Sequence, residues 1–116
     1  MVLKRYYEHL DGPRPAEGLE LATPDVRFLI AMPGRTIEGG DRGDLADYIA
    51  KRDSAGKGRV HDVMASAVQG PLEFHYGVVR EHGKPMGVML SAVRTTPDGR
   101  FDRYLNLFQT SVALLD

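Results

Sequence analysis

The chain has 116 residues, no Cys and no Trp, and its 15 basic and 16 acidic side chains give a formal charge of −1. These values are ordinary for one soluble domain spanning 1–116, and a chain of this length buries about two-thirds of its surface. The lack of Cys excludes disulfides, thiolate zinc sites and cysteine nucleophiles. No apolar run approaches the ~18 residues of a membrane helix, and balanced charge without a basic stripe argues against nucleic acid. The polar opening MVLKRYYEHL lacks a signal-peptide apolar core, so the cytoplasm is the expected compartment.

Taken in chain order, Val2 to Leu10 places Leu3, Tyr6 and Leu10 on one face at helical spacing, and Gly12-Pro13 ends that helix. Pro15 to Ala22 reads as a short second helix stopped by Pro24. Val26 to Met32 is an apolar strand bounded by Pro24 and Pro33-Gly34, with Arg35 to Gly39 as its hairpin partner. A third helix follows, capped by Asp41 or Asp44, with Leu45, Tyr48 and Ile49 inward and an end near Ala55-Gly56. Four strands at about 58–69, 72–81, 84–95 and 100–111 complete the chain, separated by Gln69-Gly-Pro71, His82-Gly83 and Thr96-Pro-Asp-Gly99. The expected fold is α+β, a cone-shaped half-barrel. Its curled, mostly antiparallel sheet carries three helices from the first half of the chain over its concave face.

Turn geometry predicts which side chains share a face. A two-residue turn at His82-Gly83 sets Glu81 opposite Lys84, hence Tyr76 opposite Met89 and Phe74 opposite Ser91. A four-residue turn at Thr96–Gly99 sets Val93 opposite Asp102, Ser91 opposite Tyr104 and Met89 opposite Asn106. One face then collects Phe74, Tyr76, Met89, Ser91, Asp102, Tyr104, Asn106 and Phe108, an apolar lining with sparse polar atoms of the kind small-molecule pockets use. The other carries Glu73, His75 and Val79 with Met86, Val88, Leu90, Ala92, Leu105 and Leu107, which is apolar enough to predict a homodimer surface. A bulge at the Thr96–Gly99 turn would exchange the faces of the last strand.

Several residues are candidates for chemistry. Asn106, the only Asn in the chain, either hydrogen-bonds a ligand or satisfies a neighbouring backbone or tyrosine group. Tyr6 and Tyr104 either point hydroxyls at a developing oxyanion or simply pack their rings. Asp102, Asp62, His61 and His75 are the acid–base candidates, with solvated strand positions as the plain alternative. The four histidines form no H-x-H or H-x-x-x-H pattern, so no metal is expected. The glycines between Gly34 and Gly43 lack the Lys-Ser/Thr of a phosphate loop, and no serine-hydrolase elbow occurs.

With Arg5-Tyr-Tyr-Glu-His-Leu-Asp-Gly12 in the first helix and Gly99-Arg-Phe-Asp-Arg-Tyr-Leu-Asn-Leu-Phe108 in the last strand, this element order resembles the nuclear transport factor 2-like superfamily, its SnoaL-like group in particular. The resemblance implies a cone-shaped barrel, frequently dimeric, in a superfamily of ketosteroid isomerases, polyketide cyclases, epoxide hydrolases and non-catalytic modules. Carried over by position, the isomerase oxyanion tyrosine corresponds to Tyr6, the protonated acid falls near Ser91 and the carboxylate base near Ile30, so both carboxylates are missing. The inward positions of the epoxide-hydrolase triad fall near Phe74, Tyr76 and Asn106, which disfavours that activity. Asn106 also stands where the SnoaL-like final strand commonly has Asp, and Gln109 replaces its last Asp.

The resulting expectation is a pocket for a small apolar molecule with a carbonyl or hydroxyl, needing no cofactor. Phe74, Tyr76, Met89, Ser91, Tyr104, Asn106 and Phe108 would line it. If it catalyses a reaction, isomerisation or cyclisation through an enolate is the class, with Tyr6 as oxyanion donor and Asp102 as base. The other reading is a non-catalytic ligand-binding or dimerising module.

Overall fold

The computed structural model describes residues 1–52 and 58–115. Helix α1 (Val2–Leu10) leads into a 3-10 helix (Pro15–Leu21), strands β1 (Ala22–Met32) and β2 (Arg35–Gly39), helix α2 (Arg42–Lys51), and strands β3 (Arg59–Gln69), β4 (Leu72–Glu81), β5 (Lys84–Thr95) and β6 (Phe101–Gln109). One six-stranded sheet forms in the order β2-β1-β6-β5-β4-β3. Every pairing is antiparallel except β1 with β6. This is the anticipated α+β cone, with its second helix realised as a 3-10 turn. Asp41 caps α2 by accepting from the Asp44 N–H at 2.8 Å. The stop expected at Ala55-Gly56 lies outside the described residues. No helix among the described residues is long and apolar enough to cross a membrane.

The core lies between the helices and the concave side of the sheet. Leu3, Tyr6, Tyr7 and Leu10 of α1 and Leu45 of α2 pack on Phe28, Ile30, Met89, Val93, Phe101 and Tyr104. Both Tyr6 and Tyr7 belong to the buried stripe of α1, because the i+3 and i+4 positions share a helix face.

Register corrects the predicted faces. Glu81 does pair with Lys84, but Arg80 pairs with Pro85 and Val79 with Gly87, leaving Met86 as an extra residue. Pro85 has no N–H for the ladder, and a bulge accommodates it. One inserted residue reverses the facing of β4 relative to β5. Glu73, His75, Gly77 and Val79 therefore point inward, and Phe74 and Tyr76 point out, opposite Ala92 and Leu90. Phe74 is 40% exposed. The Tyr76 hydroxyl accepts from the Leu114 N–H at 2.6 Å, where the chain after β6 crosses the convex face.

A second bulge sits at the start of β6. Val93 pairs with Tyr104, Ser91 with Asn106 and Met89 with Phe108, an offset of two from the predicted partners. An even offset preserves facing, so Tyr104, Asn106 and Phe108 stay on the concave side. Asp102 is skipped by the pairing and binds Arg94 through both carboxylate oxygens, at 2.8 and 2.7 Å. The expected base thus lies outside the cone.

Candidate functional site

At the centre of the concave face four polar side chains meet in a line. The Tyr104 and Tyr7 hydroxyls are 2.9 Å apart, Tyr7 and Ser91 are 2.8 Å apart, and Ser91 Oγ donates to Asn106 Oδ1 at 2.9 Å. Each hydroxyl has one proton, so the carbonyl at the Asn106 end sets the direction of the whole chain. Ser91 gives its proton to Asn106, Tyr7 gives its proton to Ser91, and Tyr104 gives its proton to Tyr7. The opposite amide orientation would leave the Tyr104 O–H buried without an acceptor, at a cost of about 1–3 kcal/mol. In the favoured direction all three hydroxyl protons are committed. The free donor of the chain is Asn106 Nδ2, which has no protein partner among the described residues.

Burial sets the acidity of these phenols. Loss of solvent raises Tyr6, Tyr7 and Tyr104 well above the ordinary value of 10.0, and the hydrogen bonds of Tyr7 to Ser91 and Tyr104 offset part of its rise. All three are neutral at any physiological pH. Tyr7, Met89, Ser91 and Tyr104 each expose 2% or less, so the middle of the cone is packed side chain. Phe108 lies nearer the surface against Gly87, where an added Cβ would sit 2.5 Å from its ring. Tyr7, absent from the candidates read in the sequence, occupies the position expected of Tyr6: its hydroxyl, not that of Tyr6, reaches Ser91. The Tyr6 hydroxyl is buried without a partner.

A second cluster joins this line through the Tyr7 ring. His61 of β3 stacks on it, with centroids 4.3 Å apart and planes 3° from parallel. Asp11, just after α1, accepts from the His61 backbone N–H at 2.7 Å and lies 2.8 Å from its Nδ1. A carboxylate at Nδ1 selects the tautomer protonated there and leaves Nε2 with a free lone pair. Tyr7, Asp11 and His61 line a cleft of about 390 Å³ between α1 and β3, together with Lys4, Glu8 and Val60 to Val63. No local spacing links Asp11, the residue after α1, to a histidine fifty residues on.

The other two acid–base candidates are engaged elsewhere. Asp62 accepts from Arg80 Nε at 3.2 Å. Buried His75 lies 2.8 Å from Ser66 Oγ and 3.2 Å from Glu73, whose carboxylate accepts the Val2 and Leu3 N–H groups at the start of α1. No cluster of three or more His, Asp or Glu suited to a metal occurs among the described residues.

No protein-family profile matches this chain, and no curated protein matches it in sequence. Solved structures match in fold. A proposed isomerase of the SnoaL-like family from Agrobacterium tumefaciens superposes with a TM-score of 0.73 at 13% identity, over 92% of this chain and 93% of that one. An NTF2-like protein with a cystatin-like fold from Novosphingobium aromaticivorans gives 0.66 at 22%, over 92% and 77%. A protein with a ketosteroid isomerase-like fold from Catenulispora acidiphila, solved in complex with trimethylamine, gives 0.75 at 14%, over 97% and 85%. The architecture that brings Tyr7, Ser91, Tyr104 and Asn106 together is thus the nuclear transport factor 2-like cone, in the form seen in SnoaL-like and ketosteroid isomerase-like proteins.

Proposed function

We propose that the protein binds a small, largely apolar carbonyl compound and moves a proton on it, with His61 as the base. The observation that carries this reading is the Asp11–His61 pair. Asp11 holds both the backbone and the ring of His61, and the Tyr7 ring fixes its plane. A histidine held this way presents Nε2 as a proton acceptor with little reorganisation. It would take a proton from the carbon beside the carbonyl, leaving the electron pair as an enolate. Return of the proton to the far carbon of a conjugated dienolate completes an isomerisation; attack of the enolate carbon on a second carbonyl of the same molecule closes a ring, breaking the C=O π bond, and the resulting alkoxide takes the proton back from His61. Lys4, in the same cleft, offers positive charge to the enolate oxygen. Tyr7 could donate there only by giving up Ser91. Within the cone, Asn106 and Phe108 remain the proposed ligand contacts. Met89, Ser91 and Tyr104 support them from beneath, and neither Asp102 nor Tyr6 takes a catalytic role.

Proton exchange tests this directly. A panel of cyclic and aromatic ketones in deuterated buffer, followed by proton NMR, should show enzyme-dependent loss of α-protons that His61→Gln abolishes and Asp11→Asn slows. Exchange that survives His61→Gln, or that no ketone shows, refutes the reading.

A second reading, a dimerising module, is favoured by the convex face. Leu90, Leu105, Leu107 and Phe74 are 54, 52, 45 and 40% exposed on adjacent strands. A contiguous apolar surface of that kind is characteristic of association, and we propose a homodimer packed sheet to sheet. Sedimentation should give a dimer that Leu90→Lys converts to a folded monomer; a monomeric parent protein excludes it.

A further inference from the structure

We propose that Ser66 is a nucleophile that takes an acyl group from an activated ester or thioester, with His75 as its base and Glu73 holding that base in place. The site lies at the start of α1 and is independent of the Asp11–His61 pair at the other end of that helix.

Three side chains form one line across β3 and β4. Ser66 Oγ lies 2.8 Å from His75 Nδ1, and His75 Nε2 lies 3.2 Å from Glu73 Oε1. A carboxylate can only accept, so Glu73 selects the tautomer protonated at Nε2 and leaves Nδ1 as an acceptor. The Ser66 hydroxyl then donates to Nδ1, the direction in which a base activates a hydroxyl for attack. Glu73 is fixed in turn. Its Oε2 accepts the Val2 N–H at 3.2 Å and its Oε1 the Leu3 N–H at 3.5 Å, at the end of α1 where a helix favours negative charge. The line depends on a bulge in β3. Val63 pairs with Gly77 and Ala65 with Tyr76, so Met64 is an extra residue. Without it, Ala65 and not Ser66 would stand opposite His75.

Exposure is graded along the line. Ser66 is exposed on the outermost strand of the sheet, whereas Glu73 and His75 expose 7% and 1%. The nucleophile is thus open to a substrate, and the base behind it is dry. Because β3 has no neighbour on its outer side, alternate N–H groups of the strand that carries Ser66 have no sheet partner and can donate to an oxyanion. Burial of His75 also selects the substrate. The ring reaches Ser66 but not the space beyond it, so it cannot protonate a departing alkoxide there. The leaving group must therefore depart as a stable anion, a phenolate or a thiolate. As Ser66 Oγ bonds to the acyl carbon, its proton passes to His75 Nδ1. The bond from the acyl carbon to the leaving oxygen or sulfur breaks, and that atom carries off the electron pair. The imidazolium that results is paired with Glu73. Val68, 58% exposed and opposite Glu73, shares the face of Ser66 two residues away and offers an apolar contact to a short acyl chain.

The probe is p-nitrophenyl acetate added to the full chain, with nitrophenolate release followed by absorbance and the acetyl group located by peptide mass spectrometry. Exposed Ser111 is the reference within the same sample. Ser66 should be acetylated about 10²-fold or more faster than Ser111, the usual worth of a positioned base, and Ser66→Ala should remove the fast phase. Glu73→Gln separates orientation from folding. Its amide oxygen can still accept at the start of α1, but its NH2 group faces His75 Nε2 and reverses the tautomer, so Nδ1 no longer accepts from Ser66. Acetylation of Ser66 should then fall towards the Ser111 rate while the circular dichroism spectrum is retained. A glutamate with only a structural role would change the spectrum and leave the rate of the folded fraction as it was. Ser66 acetylated no faster than Ser111, acetyl groups on lysines or the N-terminus alone, no acetylation, or a parent rate in folded Glu73→Gln overturns the inference.

Discussion

The directed chain Tyr104→Tyr7→Ser91→Asn106 makes an unequal prediction for two chemically equal substitutions. Tyr104→Phe removes the first donor and leaves only an unused lone pair on Tyr7. It should cost about 1 kcal/mol, the net worth of one hydrogen bond. Tyr7→Phe removes two bonds and strands the Tyr104 O–H in a site 2% exposed. Two bonds plus part of the penalty for an unsatisfied donor give about 2–4 kcal/mol. The phenyl ring that replaces the phenol can still stack on His61, so the comparison isolates the hydroxyl. With an unfolding entropy of about 2.1 cal/mol/K per residue, 116 residues give about 0.24 kcal/mol/K, and each kcal/mol moves Tm by about 4 °C. Tyr104→Phe should therefore lower Tm by about 4 °C and Tyr7→Phe by about 8–16 °C in calorimetry. The double variant is the decisive arm. In the Tyr7→Phe background, Tyr104→Phe deletes the stranded donor and should raise Tm, reversing the sign it has alone. Equal losses for the two single variants, or an additive double variant, would refute the directed chain.

Three further outcomes follow from the same geometry. Above pH 10.0 the unfolded phenols of Tyr6, Tyr7 and Tyr104 ionise while the buried ones hold their protons. The folded state then binds more protons than the unfolded one, and stability falls by about 4 kcal/mol per pH unit for three groups. Phenolate absorbance and loss of circular dichroism should coincide, and ionisation of these three phenols before unfolding would contradict their burial. Asp102 is held below the ordinary carboxylate value of 3.8 by its hydrogen bonds to Arg94, and then by that residue's charge. The stabilisation is complete above that value and disappears as acid protonates the group, so Tm curves of the parent and Asp102→Asn should converge at low pH. A persistent gap there would assign Asp102 another role. Glu73→Ala removes the acceptor of the Val2 and Leu3 N–H groups. It should cost about 1–3 kcal/mol and accelerate amide exchange at Leu3, whereas unchanged exchange would show that α1 needs no acceptor there.

Element boundaries were legible because turns are written locally. His82-Gly83, Gln69-Gly-Pro71 and Thr96–Gly99 separate strands that begin and end within two residues of expectation. Facing was less legible, because a single extra residue reverses it. Met86 sits between Pro85, which cannot serve the ladder, and Gly87, which lies under the Phe108 ring. That Pro-Met-Gly run is the signal that could have moved Phe74 and Tyr76 outside and brought Glu73 and His75 in. On β6 the pairing differs from the expected partners by two residues, and an even offset keeps Tyr104, Asn106 and Phe108 inward. Tyr7 was recoverable from α1, since i+4 from Leu3 is as good a core position as i+3. The Asp11–His61 pair was not recoverable: it depends on how the end of α1 falls across β3, and the local sequence around either residue carries no trace of that distance.

Counting donors separates polar groups that hold a fold together from those that await something. Along Tyr104, Tyr7 and Ser91, three hydroxyl protons meet three acceptors, the last of them Asn106 Oδ1. A chain closed in this way specifies a core, and opening it to bind an oxyanion would cost the bonds it already makes. The count stays open at the two flanks of the α1 terminus. On one side the His61 ring is held by Asp11 at Nδ1, with Nε2 outside that hydrogen bond; on the other, the Tyr6 hydroxyl and Arg52 Nε have no partner among the described residues, although Arg52 Nη1 donates to the Leu10 carbonyl. On the proposed reading the base stands on β3, at the edge of the cone. The superfamily resemblance points instead to its centre, where every hydroxyl proton is already spoken for.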